Sequence, residues 1–175
     1  MTGETVFLRA LELSDIAILY AFENDTAVWN ISETLAPYSS FALEQYILEA
    51  VHTDIYTSKQ VRLAICSRSD GKVIGLADLF NFSPKHLRAD VGMLIHADYR
   101  ENGYAAEALK LLSEYAFSTL NMHQLVCNIT PDNTASIRLF QKQGFVLVGT
   151  KKEWLRLGDS WVDEQMYQKL RIENF

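Results

Sequence analysis

Residues 88–109 read Arg-Ala-Asp-Val-Gly-Met-Leu-Ile-His-Ala-Asp-Tyr-Arg-Glu-Asn-Gly-Tyr-Ala-Ala-Glu-Ala-Leu, and this stretch predicts the centre of the fold. Its first part, 89–95, is a short apolar run that is typical of a buried strand. From Gly103 onward the apolar residues recur at helical spacing, which predicts a helix over 103–120. We therefore expect a buried strand, a polar turn and an amphipathic helix in succession.

The polar turn between this strand and helix consists of Arg100, Glu101, Asn102, Gly103, Tyr104 and Ala105. The first backbone N–H groups of a helix have no partner within the helix, and with the helix dipole they favour an anion such as a phosphate. Gly103 permits a close approach or a positive φ. A glycine is also common in ordinary polar turns, so the turn alone leaves both interpretations open.

Length and composition indicate one globular domain over residues 1–175, with 49% hydrophobic and 22% charged residues. No apolar run has the length of a membrane span, and the N-terminus does not resemble a signal peptide, so we expect a cytoplasmic protein without a membrane partner. The net charge of −6 argues against a nucleic-acid partner. Cys66 and Cys127 lie in apolar runs without metal-type spacing, which predicts buried thiols and no metal site.

The remaining patterns predict an α+β domain around one mixed sheet. Asp70-Gly71 between two alternating runs indicates a hairpin, and 81–87 is expected to be a loop. The strand that follows the helix should pair in parallel with 89–95. We expect a largely antiparallel sheet of about seven strands flanked by helices. The predicted strands are 5–10, 61–66, 73–80, 89–95, 124–130, 145–157 and 161–170, and the predicted helices are 14–25, 41–52, 103–120 and 134–143.

Two motifs occur in this framework. Arg100-x-x-Gly103-x-Ala105 follows the fourth strand, and Asn133-Thr-Ala-Ser-Ile-Arg-Leu-Phe-Gln-Lys-Gln-Gly-Phe145 covers the last helix and its end. With both motifs in this order, the chain resembles the GNAT acetyltransferases over essentially its whole length. Residues 8–15 and 158–163 resemble, more narrowly, the branch of the ribosomal-protein-alanine and spermidine N-acetyltransferases.

The resemblance implies acetyl-CoA as the cosubstrate and a splayed pair formed by the fourth and fifth strands. The pantetheine arm of CoA would lie along Met93, Leu94 and Ile95 like an added strand. The diphosphate would bind to the N–H groups of 100–105, while Asn133 would contact the pantetheine and Lys142 the nucleotide phosphates. The N–H of Met93 or Leu94 is expected to hold the oxyanion.

The resemblance also identifies one departure from the family pattern. In many relatives a tyrosine of the last helix protonates the CoA thiolate, whereas this chain has Phe140, which is still expected to lie beside CoA. The thiolate can leave unassisted, which is our preferred hypothesis, because thiols have a pKa of about 8–9. Alternatively a hydroxyl of Ser136, Tyr104 or Tyr99 substitutes, or the chain binds acyl-CoA and catalyses poorly.

Three carboxylates are candidates for the general base that an amine acceptor needs. Asp78 and Asp90 lie within otherwise apolar strands, where burial raises a carboxylate pKa, and Glu153 lies in the closing hairpin. The alternative for each is a structural ion pair, with Arg62 or Arg88 as the partner. The residues expected to line the acceptor pocket are Trp29, Glu33 and Trp154.

The sequence therefore predicts an acetyl-CoA-dependent N-acetyltransferase that acts by direct attack in a ternary complex. Its acceptor would be a primary amine, either of a small molecule such as a polyamine or of a protein N-terminus. The alternative is a catalytically weak acyl-CoA-binding domain with the same fold. Self-association into a homo-oligomer is left open.

Overall fold

The computed structural model of the protein describes residues 1–29 and 34–171. The strands in these ranges are β1 (Val6–Ala10), β2 (Val61–Ser67), β3 (Val73–Ser83), β4 (Arg88–Ile95), β5 (Gln124–Ile129), β6 (Val146–Leu157) and β7 (Ser160–Leu170). The helices that lie wholly within them are α1 (Ile16–Glu23), α2 (Ser40–His52), α3 (Ile55–Ser58), α4 (Tyr104–Ser118) and α5 (Thr134–Lys142). None of these helices is long and apolar enough to cross a membrane.

The strands form one mixed sheet in the order β1-β2-β3-β4-β5-β7-β6. Every neighbouring pair is antiparallel except β4 and β5, which are parallel. A parallel pair needs a long crossover connection, and α4 supplies it between these two strands. The predicted α+β architecture with a seven-stranded mixed sheet is confirmed.

The parallel strands β4 and β5 separate soon after they begin to pair. Their ladder contains only Arg88↔Gln124, Ala89↔Leu125 and Asp90↔Val126. Residues 91–95 continue as part of β4, but they have no partner on β5. The predicted splayed pair is therefore present, and it leaves an opening between the second half of β4 and β5.

The third strand is longer than the sequence predicts, because residues 81–87 do not all form a loop. β3 extends to Ser83, which pairs with Arg88 across an irregularity that follows Phe80. Asn81 has a φ of 51° at this irregularity. Asparagine tolerates the left-handed region better than most residues, so the bulge bends the strand without ending it.

The two faces of the sheet carry different helices. Val91 and Ile95 of β4 pack in one buried cluster with Leu109 and Leu112 of α4, and we call this side the α4 face. A second cluster joins Leu76 of β3 to α1 and α2 through Leu19, Phe22, Leu43 and Ile47, and this side is the α1/α2 face. Because side chains alternate along a strand, Asp78 and Asp90 belong to the α1/α2 face.

The two cysteines are free and buried, as predicted. Cys127 faces the cluster on the α4 face, and burial raises the pKa of its thiol. In the described part of the chain, no three His, Cys, Asp or Glu side chains come together as metal ligands would.

Candidate functional site

The turn before α4 has the backbone geometry of an anion-binding loop. Gly103 caps the helix with a φ of 82°, and Glu101 has a φ of 64°. Left-handed residues in such a turn direct successive N–H groups toward one point, where the helix dipole adds to their positive potential. The site lies at the end of the α4 face where β4 stops.

The N–H groups of this loop are not used elsewhere. Within residues 1–29 and 34–171, no N–H group of 101–105 donates to another protein group. A Cβ added at Gly103 would meet no atom within 4 Å, so side chains do not fill the loop. Arg100 lies beside it and donates from Nε to the carbonyl of Ile95 at 3.0 Å. The loop therefore has free N–H donors that an anion could accept.

The edge of β4 that faces the opening carries unpaired backbone groups. The N–H of His96 donates to Ile74 O at 2.9 Å, so alternate residues, Leu94 among them, direct their N–H groups toward β3. Met93 and Ile95 consequently face the opening, and Arg100 already occupies the Ile95 carbonyl. Among residues 1–29 and 34–171, the N–H and C=O of Met93 therefore have no hydrogen-bond partner.

This alternation corrects one sequence-based assignment. Leu94 was an equal candidate for the amide that holds the oxyanion, but its N–H points into the β3–β4 ladder opposite Leu76. A donor already bonded within a sheet is not available to a substrate. Of the two candidates, Met93 is the one whose N–H faces the opening, and the sequence could not reveal this because it does not show which edge of β4 each residue faces.

Asp90 lies on the α1/α2 face at the point where the ladder ends. Asn81 Nδ2 donates to Asp90 Oδ2 at 2.9 Å, and in the described residues Asp90 forms no ion pair. Burial raises the pKa of Asp90, although the Asn81 hydrogen bond and the positive charges of Arg88 and Lys151 oppose this effect. A carboxylate with a raised pKa and no bound cation can accept a proton.

Asp78 lies on the same face but has a different environment. Arg62 Nε contacts Asp78 Oδ1 at 2.6 Å, and the same guanidinium contacts Glu23 Oε1 at 2.5 Å. This arrangement corresponds to the structural ion pair considered as the alternative for Asp78, with Arg62 as the partner. An adjacent groove of about 340 Å³ is lined by Glu23, Thr34, Tyr38, Ala42, Leu43, Tyr46, Gln60 and Arg62.

The other acceptor-side candidates are dispersed. Glu153 is exposed, and its backbone lies at a bulge of β6 with a φ of 48° and an N–H bonded to Asp163. Trp154 is 56% exposed. Trp29 donates from Nε1 to the carbonyl of Glu23 at 2.9 Å. Glu33 lies outside the described residues.

The α5 motif places its members at different depths. Asn133 caps α5 through a hydrogen bond from the Ser136 N–H at 3.2 Å, which leaves the Asn133 amide N–H groups available. Phe140 is only 4% exposed and packs edge-on against Phe145, with ring centroids 5.0 Å apart. The position of the usual tyrosine is therefore a core position in this chain.

Lys142, which the resemblance places near the nucleotide phosphates, lies far from the loop at 101–105. It lines an open groove of about 550 Å³ with Gln168, Lys169 and Leu170. Lys169 Nζ lies 5.9 Å from the ring centre of Phe117, at the C-terminal end of α4. A helix of 15 residues is about 20 Å long, so Lys142 and the loop lie at opposite ends of α4.

Sequence reasoning missed three residues on the Asp90 side of the sheet: Asn128, Lys151 and Glu164. Lys151 Nζ lies 2.5 Å from Glu164 Oε2 and 3.1 Å from Asn128 Oδ1. These residues come from different strands, so no spacing along the chain indicates their contact. Asn81 can be identified along the chain, because it lies directly after Phe80, at the irregularity of β3, and it is the hydrogen-bond partner of Asp90.

Comparisons with known proteins identify the family and several relatives of this chain. The sequence profile of the acetyltransferase (GNAT) domain family matches residues 5–146. The spermidine N(1)-acetyltransferase of Escherichia coli (strain K12) is 26% identical over 148 residues, which cover 85% of this chain and 76% of the relative. The uncharacterized N-acetyltransferase p20 of Bacillus licheniformis is 23% identical over 170 residues, which cover 97% of this chain and 95% of the relative.

A solved structure has the same fold. The crystal structure of spermidine N-acetyltransferase from Vibrio cholerae in complex with CoA and spermine superimposes with a TM-score of 0.84. The two proteins are 22% identical, and the superposition covers 95% of each chain. At this level of identity the likeness shows a common fold.

Proposed function

The chain belongs to the GNAT acetyltransferase family, and we propose that it transfers the acetyl group of acetyl-CoA to a primary amine in a ternary complex. The observation that carries this proposal is the opening between β4 and β5, with the unpaired Met93 backbone on one edge. Beside the opening, the N–H groups of 101–105 have no protein acceptor in the described residues. The opening would hold the pantetheine arm that carries the thioester, and the N–H groups of the loop would hold the diphosphate.

The proposed cosubstrate site uses three elements of the chain. The loop at 101–105 would bind the diphosphate, and the Met93 N–H and C=O would pair with the amides of the pantetheine arm as an added strand does. Asn133, whose amide N–H groups have no acceptor among the described residues, would donate to the same arm. Phe140 would contribute packing only, because its side chain is buried against Phe145.

The proposed chemistry needs a base and an oxyanion donor. An alkyl ammonium has a pKa of about 10.4, so only about one molecule in a thousand is neutral at pH 7. Asp90 would accept the proton of the ammonium, directly or through water, and the neutral amine would attack the thioester carbonyl. The Met93 N–H would stabilise the oxyanion of the tetrahedral intermediate. As this intermediate collapses, the C–S bond would break, and the second proton of the attacking nitrogen would pass through water to the leaving CoA thiolate.

The two substrates would reach the opening from opposite faces of the sheet. The loop at 101–105 leads into α4 and therefore lies at the end of the α4 face, whereas Asp90 projects from the α1/α2 face. An acceptor can thus approach Asp90 without crossing the path of the cosubstrate. This separation supports direct transfer rather than an acetylated enzyme intermediate.

Phe140 favours a second candidate function, an acyl-CoA-binding domain with little catalysis. Thiol release distinguishes the two functions when acetyl-CoA is supplied with a panel of monoamines, polyamines and N-terminal peptides. Amine-dependent release, together with a higher Tm in acetyl-CoA, supports the transferase. A higher Tm without release from any acceptor supports the binding domain, particularly if Phe140→Tyr then gains activity. No change of Tm at millimolar acetyl-CoA would contradict both candidates.

We also propose that the chain self-associates. The Vibrio cholerae relative has a dodecameric structure. In this chain the edge strand β6 exposes Val146, Leu147 and Val148 by 60%, 49% and 47%. Exposed apolar edge strands tend to find a partner. Light scattering at several concentrations should give a multiple of the chain mass, and a monomer throughout would refute the proposal.

A further inference from the structure

Lys151 occupies a site that has the composition of an ammonium-binding site. Its Nζ contacts Glu164 Oε2 at 2.5 Å and Asn128 Oδ1 at 3.1 Å, and it lies 4.9 Å from the ring centre of Trp154. A carboxylate, an amide oxygen and an aromatic face are the groups with which proteins bind an alkyl ammonium. We refer to Lys151, Asn128, Glu164 and Trp154 as the Lys151 cluster.

The Lys151 cluster borders the acceptor side of the opening. Asn128 is two residues beyond Val126, which pairs with Asp90, and it faces away from the buried cluster of the α4 face. The charges of both Lys151 and Glu164 act on the pKa of Asp90: Lys151 lowers it and Glu164 raises it. The cluster and Asp90 therefore share one face of the sheet, on the two sides of the gap between β4 and β5.

The charges around this gap are largely neutralised by the chain itself. Lys151 is the counter-ion of Glu164, whose side chain is only 11% exposed. On the other side of Asp90, Arg62 is the counter-ion of both Asp78 and Glu23. Asp90 is the carboxylate of this group that remains without a bound cation in the described residues.

An acceptor with two ammonium groups fits this arrangement poorly. Its first ammonium would approach Asp90, while a second one nearby would meet the positive charge of Lys151 instead of the Glu164 carboxylate. The second ammonium and the Lys151 ammonium would repel each other. The Glu164 carboxylate is already paired with Lys151, so it would offer little attraction to offset this repulsion. The polyamine substrates in the names of the solved relatives carry this second charge.

We infer that Lys151 is a specificity-determining residue that acts as a built-in second cation, so that the acceptor is an amine whose neighbouring group is neutral or anionic. This inference rests on the proposed function and makes its acceptor class more specific. Monoamines, amino acids and peptide N-termini would then be better acceptors than diamines and polyamines.

Pentylamine and cadaverine, which have the same number of carbon atoms, provide the test. We expect the wild type to have a higher kcat/KM for pentylamine than for cadaverine. Lys151→Met should shift this ratio toward cadaverine by about tenfold, because it exposes the Glu164 carboxylate to the second ammonium. Lys151→Arg should keep the wild-type ratio, since the charge is retained.

A double variant separates the charge effect from loss of structure. Lys151→Met with Glu164→Gln removes both charges and should return the ratio to the wild-type value. Calorimetric titration of cadaverine into the protein–CoA complex gives a readout without turnover, and Lys151→Met should lower the Kd of cadaverine by about tenfold. Circular dichroism checks that each variant is folded.

The outcomes distinguish this inference from the proposed function. A wild type that prefers cadaverine, or a Lys151→Met variant with an unchanged ratio and Kd, overturns the role of Lys151. A shift that persists in the double variant also overturns it, because the shift would not come from Glu164. If no variant acetylates any amine, the transferase proposal fails, while the cadaverine Kd values still decide the inference.

Discussion

At the scale of single residues, Asp78 and Asp90 have opposite environments although both are aspartates within apolar strands of one face. Arg62 holds Asp78 in an ion pair at 2.6 Å. Among the described residues, the Asn81 amide is the side chain that hydrogen-bonds to Asp90, and burial raises the pKa of Asp90. A raised carboxylate pKa means that the folded state binds the proton more tightly than the unfolded state, so ionised Asp90 costs folding free energy at neutral pH.

Asp90→Asn should therefore lower the activity without lowering the stability of the fold. We expect kcat/KM to fall by about 10²–10⁴-fold because the base is lost, while the Tm at pH 7 stays the same or rises. In the wild type, kcat/KM should also fall more steeply as the pH drops through the raised pKa of Asp90, and this additional slope should be absent from the variant. Thiol-release kinetics and thermal melts measure both effects.

Asp78→Asn is the matched comparison for this experiment. It removes one of the two carboxylates that contact the largely buried Arg62 guanidinium and leaves Glu23 as the other, so the Tm should fall. The assignment of Asp90 as the base would be wrong if Asp90→Asn kept most of the wild-type kcat/KM.

At the scale of one element, β4 uses its two edges for different purposes. The edge that carries the Leu94 N–H is paired with β3 along the strand. The edge that carries the Met93 N–H is paired with β5 only as far as Asp90 and then borders the opening. The first edge therefore stabilises the sheet, and the second is available to a ligand.

Proline substitutions at two consecutive positions test this division, because proline lacks the N–H group. Met93→Pro removes a donor that has no sheet partner, so the protein should still fold, with acetyl-CoA bound more weakly and kcat reduced by about 10²–10³-fold. Leu94→Pro removes a ladder hydrogen bond in mid-sheet and should prevent stable folding. Circular dichroism, acetyl-CoA titration and thiol release provide the measurements. A fully active Met93→Pro enzyme would exclude this N–H as the oxyanion donor.

At the scale of the whole molecule, α4 and the loop at 101–105 that precedes it are connected to the N-terminal segment through Glu107. This residue of the first turn of α4 accepts hydrogen bonds from the N–H groups of Thr5 at 2.9 Å and Val6 at 3.0 Å. The Thr5 hydroxyl and the Glu4 N–H donate to it as well. Burial alone would raise the pKa of Glu107, but these hydrogen bonds together hold it below its usual value.

Glu107→Ala should lower the free energy of unfolding by about 1–3 kcal/mol at pH 7, because several backbone donors lose a charged acceptor. Since the folded pKa of Glu107 is lowered, the wild type should lose this contribution as the pH falls through that pKa, and the two proteins should become more alike in acid. Denaturant titrations at several pH values measure the difference.

Glu114 of the same helix provides the control. Its side chain is largely exposed and forms an ion pair with Lys110 at 4.0 Å, so Glu114→Ala should change the stability by less than about 0.5 kcal/mol. Equal stabilities of the Glu107 and Glu114 variants would show that the anchor contributes nothing.

The amino-acid sequence by itself determined the features that depend on neighbours along the chain. The period of the apolar residues from Ala105 to Ala116 indicated the helix α4, and Gly103 indicated the positive φ of its cap. Asn133 and Phe140 occupy motif positions that are readable directly. The number and order of the strands followed from the same local patterns, because a strand or helix must bury its apolar face wherever it packs.

Only the tertiary structure decided which of these residues act together. Strand register determined that Met93 rather than Leu94 faces the opening, and cross-strand contacts gave Asp78 a counter-ion but left Asp90 without one. The packing of α5 placed Lys142 beside β7, far from the loop at 101–105. A bulge in β6 lies next to Lys151, which contacts Glu164 across the strand pair. These are relations between residues far apart along the chain, and their energies depend on distance and burial in space, which the order of amino acids does not display.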